Sequence, residues 1–258
     1  MFRQRLLSAL IGIPIVIFSV WNGKLMLYGL ILLISTLALR ELYSLGGLER
    51  KDLAVIGLLG NFIILTIAYL GDANQLLFML ISFFILLNIY TVFIFPVNLQ
   101  GLMLIIWGKL YVTCLFAHFF WLRALNNGFF LLLSVLLATW ASDTGAYACG
   151  LTLGKRKLIP AVSPKKSLEG AVGGILFAGV TLVLLAPLLN MGRLQAAVIG
   201  VFFSLVGQFG DLAESALKRW GRAKDSGKFL PGHGGVLDRL DSLLFAVPAA
   251  YYLFLFLL

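Results

Sequence analysis

Asp238 and Asp241 stand three residues apart in VLDRLD, at the head of the apolar run LLFAVPAAYYLFLFLL. On a helix that spacing puts both carboxylates on one face, with Arg239 turned roughly 100° away. Two carboxylates so placed can share a divalent metal. Upstream, Asp211, Glu214, Ser215 and Lys218 in QFGDLAESALKR follow an i, i+3, i+4, i+7 pattern and form one polar stripe. Asp143 in WASDTGAY lies within another apolar stretch, and Gly145 beside it allows close approach of a second helix. Hard oxygen donors of this kind suit magnesium, which keeps several waters and is completed by substrate phosphates. The same acids have a structural use as well: pairing with Lys218, Arg219 and Arg239 would join helices.

Other residues point to anion binding. In SPKKSLEG, residues 163–170, Pro164 interrupts any helix, Lys165 and Lys166 offer cations, and Ser167 is placed to cap the following span. A capping box is not formed, because Gly170 rather than an acid stands three residues after Ser167. Gly232, Gly234 and Gly235 let the backbone turn left-handed and bring amides close to an anion. His233 between them could donate to phosphate or move a proton near neutral pH. A basic anchor at a membrane surface would also account for the lysines.

These residues sit in a chain of 258 that is 61% hydrophobic and only 12% charged, with mean hydropathy +1.01. A soluble domain carries about 25% charged residues. The expectation is an all-α, polytopic integral membrane bundle, because the bilayer leaves no water for open backbone groups. A barrel is excluded by continuous apolar runs of about 20 residues. Nine spans follow, at about 6–21, 25–39, 53–70, 76–95, 102–122, 129–148, 170–190, 195–213 and 236–258. The first, in MFRQRLLSALIGIPIVIFSVWNG, reads as a retained span, since no small-x-small cleavage site follows its long apolar part. With the N-terminus in the cytoplasm, only Lys24, Arg123 and Arg193 fall in outside loops, as the positive-inside bias requires.

The net charge of +9 therefore follows topology and gives no reason to expect nucleic acid. Its basic residues gather in two cytoplasmic loops, 149–169 and 214–235, which form an anion-attracting surface. Residues 1–130 read as a hydrophobic membrane region whose acids, Glu41, Glu49, Asp52 and Asp72, fall in expected loops and suggest no chemistry. Residues 131–258 read as the catalytic membrane region. Cys114 and Cys149 lack metal or disulfide spacing. His118 reads as a packed core residue, and Trp21 and Trp121 as interfacial belt residues.

The stretch SALKRWGRAKDSGKFLPGHGGVLDRLD, residues 215–241, resembles the signature of the phosphatidate cytidylyltransferase family, also called CDP-diacylglycerol synthase. The pattern fits at Ser215, Leu217, Lys218, Arg219, Lys224, Asp225, Gly227, Leu230, Pro231, His233, Gly234, Gly235, Val236, Asp238, Arg239, Leu240 and Asp241. DTGAY at 143–147, SPKKSLEG at 163–170 and GDLAES at 210–215 resemble the family too. The resemblance implies that CTP and phosphatidate give CDP-diacylglycerol and pyrophosphate, with magnesium required and a homodimer as the working unit. It places Asp211, Asp238 and Asp241 as catalytic metal ligands able to share a second cation, with Asp143 in support. Lys165, Lys166, Lys218, Arg219, Lys224 and Arg239 would hold phosphate charge, and Ser167, Ser215, Asp225, His233, Gly234 and Gly235 would complete the substrate site. The enzyme would sit in the cytoplasmic (inner) membrane with its active site facing the cytoplasm.

Two other functions use the same kinds of residue. An ion-coupled transporter would place acids near mid-membrane in two related halves, whereas here they cluster at span ends and the halves do not match. A CTP-using lipid kinase would share the nucleotide but release free CDP.

Overall fold

A computed structural model of the chain describes residues 2–96, 98–227 and 234–257, with the side chains of the first helix from residue 10 onward. In order, the helices are α1 (Phe2–Asn22), α2 (Lys24–Leu45), α3 (Lys51–Leu70), α4 (Ala73–Phe93), α5 (Leu99–Gly108), α6 (Leu115–Ala124), α7 (Gly128–Thr152), α8 (Leu168–Leu185), α9 (Arg193–Trp220) and α10 (Leu237–Leu257). A π-helical stretch, Lys109–Cys114, joins α5 to α6, so that one continuous helical rod runs over Leu99–Ala124. Among the described residues eight helical segments are long and apolar enough to cross a membrane, and Leu10–Asn22 of α1 is a shorter apolar helix. The protein is thus a polytopic membrane helical protein, with a helix at each of the nine expected spans.

One departure from a purely helical chain stands between α7 and α8. Strands β1 (Lys157–Ile159) and β2 (Ser163–Ser167) pair antiparallel, Lys157 opposite Ser167 and Ile159 opposite Ser163. The strand in which Pro164 sits ends where Ser167 accepts the Gly170 N–H at 3.1 Å and starts α8. Glu169 in the first turn of α8 accepts the Lys155 and Arg156 N–H groups, closing the hairpin onto the helix.

By its contacts the chain forms two compact units, Met1–Trp121 with Gly221–Leu237, and Leu122–Trp220 with Asp238–Leu258. In the first, α3 carries a polar thread. The Asn61 amide donates to Ser35 at 3.0 Å and accepts from Thr113 at 2.7 Å. Lys109, 2% exposed, donates to the Gly57 carbonyl and lies 5.5 Å from the centre of the Phe83 ring. Trp121 is not a belt residue: it is 7% exposed and its indole N–H donates to Ala68 O at 3.0 Å. A buried indole must find an acceptor, and the α3 carbonyl supplies one. His118 is packed as expected, edge-on to Trp121, while Trp21 is exposed.

Within the second unit the helices meet through small residues. A Cβ on Gly145 of α7 would stand 2.8 Å from Gly173 O of α8, which is the close approach that the sequence around Asp143 allows. Ser142 and Ser204 hydrogen bond at 2.7 Å between α7 and α9. Large apolar side chains such as Leu184, Leu194 and Phe209 remain exposed, as lipid-facing positions of a membrane bundle must. Gly145→Val should therefore separate α7 from α8 and cost about 1–3 kcal/mol as an overpacked contact. A lowered unfolding temperature in detergent, with helix content retained, would register it.

Candidate active site

The chemistry-bearing residues of the second unit come from four elements. Asp143 lies exposed on α7. Lys165 and Lys166 lie on β2, Asp211, Glu214, Ser215, Lys218 and Arg219 on α9, and Asp238, Arg239 and Asp241 on α10. The predicted stripe on α9 is real and largely covered: Glu214 is fully buried, Ser215 is buried, and Lys218 is half-buried.

Backbone proximity sets the position of the acids. A Cβ on Gly210 would meet the Asp241 carbonyl oxygen at 2.5 Å, and one on Gly207 would touch Ser242. Asp211 thus follows directly on the point where α9 presses against α10 at Asp241. Asp241 lies within the electrostatic field of Asp211, Glu214 and Asp143. Asp143 in turn feels Asp211, Lys166 and Arg239.

Two lysines answer part of that negative charge. Lys166 reaches from the hairpin to Asp211 at 2.6 Å, with side-chain exposures of 26% and 30%. Lys218 bonds Glu214 one turn earlier on α9 and Asp238 of α10 at 2.6 Å. One ammonium therefore holds two carboxylates and joins two helices. Ser215 donates to Asp211 at 3.4 Å, and Arg219 donates to Val162 O at 3.2 Å, tying the hairpin turn to the end of α9. The helix-joining use of the acids is therefore present for Glu214 and Asp238, bridged by Lys218, while Asp211 is tied to the hairpin. Asp241 differs, because its side chain accepts the N–H of Ser242 in its own helix.

For a metal, the donor set is informative. Among the described residues no three of the His, Cys, Asp and Glu side chains gather closely enough to form a ready-made ion site. Magnesium does not need three, since it is commonly held by one or two carboxylates and completed by phosphates and water. Asp211 and Asp241, hard oxygen donors on helices in backbone contact, fit that description. Asp238 is engaged by Lys218.

Lys224, Asp225, Gly234 and Gly235 belong to the first unit. Lys224 and Asp225 are exposed, and Gly234 has φ 86°, the left-handed turn expected of the glycine run. His233 and Gly232 lie outside the described residues. Two acids expected in loops stand in helices: Asp52 in the first turn of α3, and Glu41, buried, in α2. Its carboxylate accepts the Val236 N–H at 2.8 Å, the Leu237 N–H at 2.9 Å and the Ser226 hydroxyl at 2.9 Å.

Comparison with known proteins gives this arrangement a family. The Cytidylyltransferase family matches residues 3–257. The chain belongs to that family. Among its relatives, a phosphatidate cytidylyltransferase of Bacillus subtilis is 37% identical over 262 residues, covering 97% of each chain. A phosphatidate cytidylyltransferase of Staphylococcus epidermidis is 33% identical over 259 residues, with 95% of this chain and 96% of the relative covered. That of Staphylococcus aureus is 32% identical over 252 residues, with the same coverage. Membership of the cytidylyltransferases extends the likeness from the motif region to nearly the whole length, α1 included.

Lys218→Ala in this cytidylyltransferase should strand Glu214 and Asp238, at a cost of about 3–5 kcal/mol. Adding Glu214→Gln should recover part of that loss. Lys166→Ala, which breaks a more exposed pair, should cost at most about 1 kcal/mol. Thermal unfolding of the purified variants checks the contrast.

Proposed function

We propose that this protein is a phosphatidate cytidylyltransferase, which transfers a cytidylyl group from CTP to phosphatidate and yields CDP-diacylglycerol and pyrophosphate. The observation that carries the reading is the contact of α9 with α10 that sets Asp241 in the field of Asp211, Glu214 and Asp143, with Lys166 on Asp211 and Lys218 on Glu214, in a chain that matches this family along nearly its whole length. Carboxylates that could hold a divalent cation, with ammonium groups beside them, suit a reaction between two phosphate groups.

In the reaction a phosphate oxygen of phosphatidate attacks the α-phosphorus of CTP. The new P–O bond forms as the bond to the bridging oxygen of the β-phosphate breaks, and pyrophosphate leaves with that electron pair. No protein nucleophile takes part. Magnesium held at Asp211 and Asp241 would neutralise phosphate charge and align the reactants. Lys166 is paired with Asp211, Lys218 with Glu214 and Asp238, and Arg239 lies in the field of Asp143; these cations would hold the charge that grows on the leaving group. Asp143 supports the cation site electrostatically, and Lys165, exposed on the hairpin, meets the nucleotide as it arrives from water.

The positive-inside bias of the loops favours a cytoplasmic N-terminus and a site that opens to the cytoplasm from the inner membrane, where CTP is dissolved and the lipid head group lies. The family resemblance favours a homodimer.

Purified protein incubated with radiolabelled CTP, phosphatidate and magnesium should put label into the organic phase as CDP-diacylglycerol and release pyrophosphate. Label recovered as free CDP would instead identify a CTP-using lipid kinase. Asp241→Asn should stay in the membrane and lose turnover by at least about a hundredfold. Near-normal rates at saturating magnesium would reject it as a ligand. Lys166→Ala should raise the concentration of CTP or lipid needed for half-maximal rate. An effect on expression alone would leave that lysine as a surface anchor.

A further inference from the structure

Glu41 does something that neither the motifs nor the reaction assigns. Its two carboxylate oxygens take three donors from one stretch of chain: Oε1 accepts from Val236 N–H, and Oε2 accepts from Leu237 N–H and the Ser226 hydroxyl. Ser226 stands at one end of the segment that holds the glycine turn, and Val236 and Leu237 at the other. Leu237 is the first residue of α10, so two amides of that helix start have no partner earlier in their own helix. A carboxylate from α2 supplies it. The helix N-terminus, with its partial positive charge, stabilises the anion in return.

The glycines on either side are shaped to this contact. A Cβ on Gly227 would meet Glu41 Oε1 at 2.5 Å, and one on Gly235 would collide with both Glu41 and Ser226. Two signature glycines are therefore accounted for by room for one side chain, separately from the left-handed turn at Gly234. All of these residues are in the first compact unit, and the helix they start is the one that carries Asp238 and Asp241.

We propose that Glu41 is a positioning residue for cytidylyl transfer: its carboxylate staples the two ends of the glycine-bearing segment together and caps α10, fixing the helix start from which Asp238 and Asp241 follow. The proposal rests on the functional reading above for its catalytic half. The geometry requires an acceptor at both oxygens, because every described donor is a neutral N–H or O–H. Glutamine keeps the shape but turns an NH2 group toward one of these donors. Aspartate is shorter by one methylene and falls short of the loop.

The test uses the full-length protein in detergent, comparing wild type with Glu41→Gln, Glu41→Ala, Ser226→Ala and the Glu41→Gln/Ser226→Ala double variant. Amide hydrogen exchange of the 234–240 region should accelerate about tenfold or more in Glu41→Gln, with the exchange of α7 and α8 unchanged. Per folded protein, kcat should fall by about ten- to a hundredfold, since small misplacements have that effect, while KM for phosphatidate holds. The double variant should lose less than the product of the single losses, as residues of one network do. Should Glu41→Ala fail to fold, Ser226→Ala still reports on the staple. Unchanged exchange at the start of α10 in Glu41→Gln overturns the staple. Faster exchange with wild-type kcat overturns its role in positioning. A wild-type protein that makes no lipid-linked CMP removes the functional reading, and with it the catalytic half, while the exchange result is judged separately.

Discussion

A charge inside an apolar helical bundle must meet a counter-charge or a set of aligned dipoles within reach of its own side chain, because neither lipid nor packed hydrocarbon will solvate it. Much of the order in this molecule is a set of answers to that demand. Lys218 meets Glu214 and Asp238. Glu41 meets two backbone amides and a hydroxyl. Lys109 meets a carbonyl and the face of a phenyl ring. Each answer ties together segments far apart in the chain, so the polar groups dictate which helices are neighbours while the apolar side chains only require that they be buried or face lipid.

The acids in the second unit show how such a demand and a chemical role can coincide. Lysines at Asp211 and Asp238 hold those carboxylates in defined rotamers, and the glycines of α9 bring the backbone of α10 close enough that Asp211 and Asp241 belong to one region. Among the described residues Asp241 forms no ion pair with a lysine or arginine and accepts the N–H of Ser242 instead. In the first unit the same economy of partners operates through dipoles. Glu41 is held without a salt bridge to any described lysine or arginine, and the donors that hold it are the backbone of the segment next to the acids.

Hydropathy located the membrane-length helices among the described residues but misjudged where several of them end. The apolar run of α2 stops near residue 39, yet the helix continues through Arg40 and Glu41 to Leu45. The same holds for α9, which runs past its apolar stretch through Lys218 and Arg219 to Trp220. Charged residues are good helix formers, so an apolar run measures depth in lipid and says little about helix length. The Gly46–Gly47 pair was the available stop signal: Gly46 caps α2 and Gly47 has φ 66°. Reading it would have put Glu41 on a helix. The i, i+3 and i+4 spacing did expose the stripe on α9, because its members share one face. Partners from different elements, such as Lys166 with Asp211 or Glu41 with Val236, leave no periodic trace. Trp121 was misread for a related reason, since an indole near the end of a span looks alike whether it faces head groups or a carbonyl of α3.

Strand β2 has one more consequence. Successive side chains of a strand point to opposite sides, and the strand here sets Lys166 toward Asp211 while Lys165 is exposed. Two adjacent ammonium groups thus work in different media. Dissolved ions screen the exposed one within about 10 Å at moderate ionic strength and act far less on its sheltered neighbour, so attraction of a nucleotide from solution should weaken as salt is added while the internal pair persists.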